Sequence, residues 1–316
     1  MTRPASPGSS FSWLGWKQSR KASLQSASHL ATTDRGELEY VLFGSGPVVL
    51  TFHGTPGGYD QGSYTFGEFA LAGFSVLSPS RSGYLRTPLS TGRSIAEQAG
   101  AFKALLDRLE IDRVFVAGVS GGGPYACRFA LDYPDRVRAL LLECPVTHEF
   151  DTRSEFLNTP IGRWFQTDTG SWQLAMAARY FPLALLKLSL KASSKLEGDA
   201  FESWAQEILS LPHAPAAMEV IAQTCSPASL RHEGIKNDFV QFETLGYPPL
   251  EQIAVPTMLV HGEADADAEI CHSEYAIARI EGSRLIRMPG ASHLIWLQPD
   301  WPSVRRTEIE FFRQII

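Results

Sequence analysis

From Glu37 onward the chain alternates between short apolar runs and longer stretches with helical periodicity. ELEYVLF (37–43) alternates apolar and polar positions, the pattern of a half-buried edge strand. PVVLTF (47–52) is continuously apolar, as a strand covered on both faces would be. FSVLSPS (74–80), RVFVAGV (113–119) and VRALLLECPV (137–146) read as further strands. Between them, SIAEQAGAFKALLDRLE (94–110) opens at Ser94 with Glu97 three residues on, a capping box, and sets Ile95, Phe102, Leu105, Leu106 and Leu109 on one helical stripe. PYACRFALDY (124–133) reads as a second helix. This alternation predicts the α/β class: a doubly wound, mostly parallel sheet covered by helices on both faces.

The rhythm stops near Thr147 and returns at PTMLVHG (256–262), followed by a helix near 268–281, the strand RLIRMPG (284–290) and a last helix from about Ser303. The intervening stretch is rich in helix formers and carries Phe156, Trp164, Phe165, Trp172, Tyr180, Phe181 and Trp204, as a helical cap inserted between two strands would. The expected organisation is therefore an α/β core over 34–146 and 236–316, a cap over 147–235, and a flexible or loosely packed tail over 1–33. That tail contains no Asp or Glu and no long apolar run, which argues against a secretory signal. Phe11, Trp13, Leu14 and Trp16 beside Lys17, Arg20 and Lys21 leave membrane-surface contact as a secondary expectation.

Candidate chemistry begins at AGVSGGGPYA (117–126), where Ser120 stands among glycines between a buried strand and a helix. If the backbone turns sharply there, Gly118 and Gly122 remove side chains that would collide, and the hydroxyl is lifted clear of the sheet. Gly121 places an N–H at the start of the helix, where a developing negative charge is favoured. A serine needs a base, and GASHLIWL places His293 in a loop after the last strand. The base needs a carboxylate, and LVHGEADADAE places Asp265 just beyond the preceding strand. Asp267, two residues on, and Glu143, at the end of its strand, are the alternatives for the acid. A second oxyanion donor is expected from TFHGTPGG (51–58), at the N–H of Thr55, with His53 shaping that loop.

A net charge of −6 and a pI near 5.8, without a dominant basic stripe, speak against nucleic acid as a partner and leave a small-molecule substrate. Cys127, Cys144, Cys225 and Cys271 form no CxxC pair, so free thiols and a cytoplasmic location are expected, with no metal site. His148, His213, His232 and His272 have no metal-ligand spacing.

HGTPGG, GVSGGG, VHGEAD and GASH, in this order, resemble the α/β-hydrolase superfamily over about residues 37–316. The resemblance implies a cap over the active site and no cofactor, and a serine in the nucleophile position speaks against dehalogenases and epoxide hydrolases. HGTPGG is also similar to the HGGPGG of proline iminopeptidases. Thr55 replaces a glycine there, however, and Gly118-Val119-Ser120 departs from their Gly-Gly-Ser-Trp form. The expected function is hydrolysis of a small to medium apolar ester, thioester or lactone through an acyl-enzyme on Ser120. The alternatives are an aminopeptidase, a carbon–carbon bond hydrolase or lyase, and a small-ligand receptor.

Overall fold

The computed structural model describes residues 12–150 and 159–316. Eight strands form one sheet: β1 (His29–Thr33), β2 (Gly36–Gly44), β3 (Val48–Phe52), β4 (Ser75–Pro79), β5 (Val114–Val119), β6 (Val137–Glu143), β7 (Thr257–Gly262) and β8 (Arg284–Met288). Their order is β1-β2-β4-β3-β5-β6-β7-β8, antiparallel at β1–β2 and β2–β4 and parallel elsewhere. Alternate residues of the central strands feed opposite faces, as the pleat requires. Leu50, Phe52 and Val116 pack under one helical layer, while Val49, Phe115 and Ala117 pack under the other.

The helices are α1 (Trp13–Ala27), α2 (Tyr59–Phe66), α3 (Glu68–Leu71), α4 (Ile95–Arg108), α5 (Gly123–Asp132), α6 (Pro160–Phe165), α7 (Asp168–Tyr180), α8 (Pro182–Ala192), α9 (Gly198–Leu209), α10 (Ala214–Thr224), α11 (His232–Glu243), α12 (Cys271–Ile277) and α13 (Trp301–Arg313). α4, α5 and α12 contribute to one layer, and α2, α3 and α13 to the other, where Phe312 stacks on Phe115 with ring centroids 4.4 Å apart. The Ser94/Glu97 capping box expected for α4 is formed. Helices α7 to α10 share their own apolar cluster, including Leu186, Leu190, Phe201, Ile208 and Met218. The boundary expected at residue 235 falls inside α11, whose Phe242 packs into the core of the sheet domain. No described helix is long and apolar enough to cross a membrane.

The N-terminal segment departs from the loose tail expected over 1–33. Residues 1–11 lie outside the described residues, but 12–33 are folded as α1 and β1, and β1 takes the sheet edge expected for β2. α1 lacked a sequence signal because it carries almost no apolar stripe: Leu24 is its one buried residue. It is held instead by polar groups. Lys17 pairs with Asp168 of α7, Arg20 reaches Asp60 at 3.1 Å, and the Tyr59 hydroxyl donates to the Leu24 carbonyl at 2.7 Å. Because Leu24 is buried, Leu24→Ala should lower unfolding free energy by about 2 kcal/mol in a denaturant titration. An unchanged midpoint and slope would show that α1 is not part of the cooperative fold.

Candidate active site

Ser120 follows β5, a strand buried along its whole length, with a backbone φ of +51°, in the left-handed region that L-residues rarely occupy. Its carbonyl is held by the N–H of Val146 at 3.0 Å. The flanking glycines make the turn possible, though their nearest obstacles are not each other. A Cβ on Gly118 would come within 2.7 Å of the Ala126 Cβ on α5, and one on Gly122 would strike the carbonyls of Phe52 and His53 at the end of β3. The small residues thus let the Ser120 turn sit tightly between α5 and β3.

The structure brings the three sequence-predicted residues together from the ends of three strands. His293 Nε2 lies 2.9 Å from Ser120 Oγ, and its Nδ1 lies 2.7 Å from Asp265 Oδ2. Asp265 is fully buried; its Oδ1 accepts the N–H groups of Asp267 at 2.8 Å and Ala268 at 3.0 Å. Burial alone would raise its pKa, but His293 and His261 outweigh that and hold the carboxyl at about 2, so it is ionised throughout the neutral range. His261 was not singled out from the sequence. It is wholly buried, 3.2 Å from Asp265 Oδ2, and its Nδ1 lies 2.7 Å from the Ser273 hydroxyl.

The alternative acids make other contacts. Glu143 Oε2 accepts the indole N–H of Trp296 at 2.7 Å, and its Oε1 faces Arg305 at 3.1 Å. Trp296 in turn sets its ring edge-to-face with His293, centroids 6.5 Å apart. Asp267 uses its backbone to hold Asp265, and burial pushes its own carboxyl up to about 6. Cys144, beside Asp265 and His293, is buried, and that burial raises its thiol pKa well above the usual range, so it carries no thiolate nucleophile.

Away from Ser120, His293 and Asp265, the residues His148, Cys271 and His272 bring potential metal-ligand atoms within 4.8 Å of one another. The His148 and His272 rings stack 4.0 Å apart, however, and backbone groups engage both Nδ1 atoms: the Thr147 N–H at His272 and the Glu149 carbonyl at His148. Burial pushes the His272 pKa down to about 3, which keeps it neutral.

Thr55 and Gly121 are neighbours: a Cβ on Gly121 would collide with the Thr55 side chain. His53 shapes the loop, since its Nε2 accepts the Arg81 N–H at 2.9 Å and its Nδ1 therefore donates to the Gly54 carbonyl at 2.8 Å. Behind this loop lies a buried group that the sequence did not disclose. Arg81 and Asp238 form an ion pair with side chains 0% and 1% exposed, 157 residues apart, and the Arg81 guanidinium sits over the rings of Tyr84 and Tyr125. An arginine directly after an apolar strand was the available signal. Its partner on a helix of the insertion was not deducible.

The insertion is tied to the loops of Asp265 and His293 by backbone. Ser194 forms an antiparallel bridge with Asp265, and the Ser193 carbonyl accepts the N–H groups of Ala266 at 3.1 Å and His293 at 3.2 Å.

Comparison with known proteins agrees with this architecture. The family model described as alpha/beta hydrolase fold matches residues 47–300. A Bacillus subtilis (strain 168) protein described as an uncharacterized hydrolase is 29% identical over 277 residues, spanning 84% of this chain and 91% of that relative. An alpha/beta hydrolase fold protein from Nakamurella multipartita is similar with a TM-score of 0.82 at 32% identity, covering 90% of this chain and 99% of its own. A thermophilic esterase from Thermogutta terrifontis matches with a TM-score of 0.61 at 20% identity, covering 91% and 98%, a likeness of fold alone. With a sheet of this order, a helical insertion after β6 and a family match over most of its length, the chain belongs to the alpha/beta hydrolase fold family.

Proposed function

We propose that the protein is a serine hydrolase that cleaves a small to medium apolar carboxylic ester, thioester or lactone through an acyl-enzyme on Ser120. The observation that carries this reading is the continuous chain from Ser120 Oγ to His293 Nε2 at 2.9 Å and from His293 Nδ1 to the buried Asp265 at 2.7 Å. In the first step Ser120 Oγ attacks the substrate carbonyl carbon while His293 takes the hydroxyl proton. The carbonyl oxygen becomes an oxyanion held by the N–H groups of Thr55 and Gly121. The carbon–leaving-group bond then breaks as His293 returns the proton to the leaving group. Water, deprotonated by the same imidazole, attacks the acyl carbon and releases the carboxylic acid and free Ser120. Asp265 keeps the imidazole in the required tautomer and stabilises its cation.

An apolar acyl group is favoured by the Phe242 ring beside Gly121 and by the aromatic content of the insertion. The four free cysteines support a cytoplasmic setting, and the acidic pI supports a small-molecule rather than a nucleic-acid partner.

Ser120→Ala should silence turnover of p-nitrophenyl esters, a loss of about 10³-fold or more in kcat, with thermal stability retained. A matched panel of prolyl anilides should react far more slowly than the esters, and the reverse order would favour an aminopeptidase. Asp265→Asn should cost kcat about 10³- to 10⁴-fold, whereas Asp267→Asn should stay within about threefold of the parent. Equal losses at the two positions would contradict the assignment of the acid. The rate should climb between about pH 5 and 8 as the imidazole base loses its proton. Asp265, ionised down to about 2, contributes no limb in that window. A flat kcat/KM profile would contradict the role of His293.

A further inference from the structure

We infer that Asp238, on α11, is a positioning residue for the oxyanion hole, fixing Thr55 against Gly121; the inference rests on the serine hydrolase reading above. Asp238 is buried and accepts five hydrogen bonds. Its Oδ2 takes the Thr55 hydroxyl at 2.5 Å, the Tyr84 hydroxyl at 2.5 Å and Arg81 Nη2 at 2.7 Å. Its Oδ1 takes Arg81 Nη1 at 2.5 Å and the Tyr125 hydroxyl at 2.7 Å. A buried carboxylate is tolerated only with such a set of donors, and here they come from the loop after β3, the loop after β4 and α5.

The same ion pair reaches the backbone of the loop. Arg81 Nε donates to the His53 carbonyl at 3.0 Å and Nη2 to the Gly54 carbonyl at 3.2 Å. The Gly54 carbonyl belongs to the same planar peptide unit as the Thr55 N–H, so fixing one fixes the direction of the other. His53 makes a second bond to that carbonyl, and the Gly54 N–H on the preceding unit is bound by Gln61 Oε1 at 2.7 Å. Asp238 thus holds Thr55 twice, through its side chain and, by way of Arg81, through its peptide plane.

Four residues further along α11, on the same face, Phe242 backs the other donor: a Cβ on Gly121 would lie 2.9 Å from Phe242 Cζ. One helix therefore contacts the Thr55 side chain and lies beside Gly121. Gly234, earlier on α11, lets the Tyr84 ring lie against the helix, since a Cβ there would collide with that ring. The spacing of the two donors is set by a single rigid element.

The test is a double-mutant cycle of Thr55→Val and Asp238→Asn, reading kcat and KM on p-nitrophenyl butyrate. Thr55→Val keeps the backbone amide and removes only the hydroxyl tether. Each single variant should lower kcat about tenfold with KM changed less than about threefold, because an oxyanion contact acts in the transition state. The double variant should be no slower than Asp238→Asn alone. Additive losses, or a raised KM at parental kcat, would overturn the inference. If Asp238→Asn does not fold, Thr55→Val decides alone, and parental kcat in that variant overturns it. Ser120→Ala, assayed alongside, keeps the two readings distinct. A silent Ser120→Ala with an unaffected Thr55→Val rejects the positioning role only, whereas a fully active Ser120→Ala rejects the serine mechanism and this inference with it.

Discussion

The turn at Ser120 is the constraint around which the rest of the site is arranged. A serine at φ +51° is unfavourable by about 1–3 kcal/mol, and it persists because β5, the strand that delivers it, is buried end to end in the middle of the sheet. The space around the turn is just as restricted: Gly118 abuts α5 and Gly122 abuts the end of β3. From this fixed point the hydroxyl faces His293, and Gly121 lies against the side chain of Thr55. Local stability is given up where the serine hydroxyl is turned toward His293, and the sheet holds the strained residue in place.

Around that turn, two buried carboxylates divide the work. Asp265 holds the imidazole, and its own orientation is fixed by two backbone amides and by His261. Asp238 holds the loop on the other side through Arg81 and Thr55. The insertion engages both halves. Ser193 and Ser194, just past α8, bond the loops of Asp265 and His293, while α11, at the end of the insertion, contributes Asp238. The insertion is therefore part of the framework of the site.

The sheet was legible because its strands are apolar runs of the length a buried parallel sheet requires, and β3 to β8 fall within a few residues of their expected bounds. The same holds for Ser120, Asp265 and His293, whose glycine-rich or acidic loops stand directly after such runs. α1 escaped notice because polar contacts to Asp60 and Asp168 hold it, and those leave no periodic trace. α2 and α3, which follow the HGTPGG loop closely, were also missed. Asp238 and Arg81 could not be paired from the sequence. They are 157 residues apart, and a charged residue within a helix reads as solvent-exposed until its burial is seen. Glu143 shows the converse: placed at the end of a strand as an acid should be, it faces Trp296 and Arg305 instead.

The central claim is that Ser120 forms the covalent intermediate. Its most direct test is reaction with an alkyl fluorophosphonate, in which Oγ bonds phosphorus and fluoride leaves, followed by mass mapping of the peptides. The account predicts one adduct per chain, on Ser120, with ester turnover falling in proportion to labelling. Modification of another residue, or full turnover after Ser120 is blocked, would contradict it.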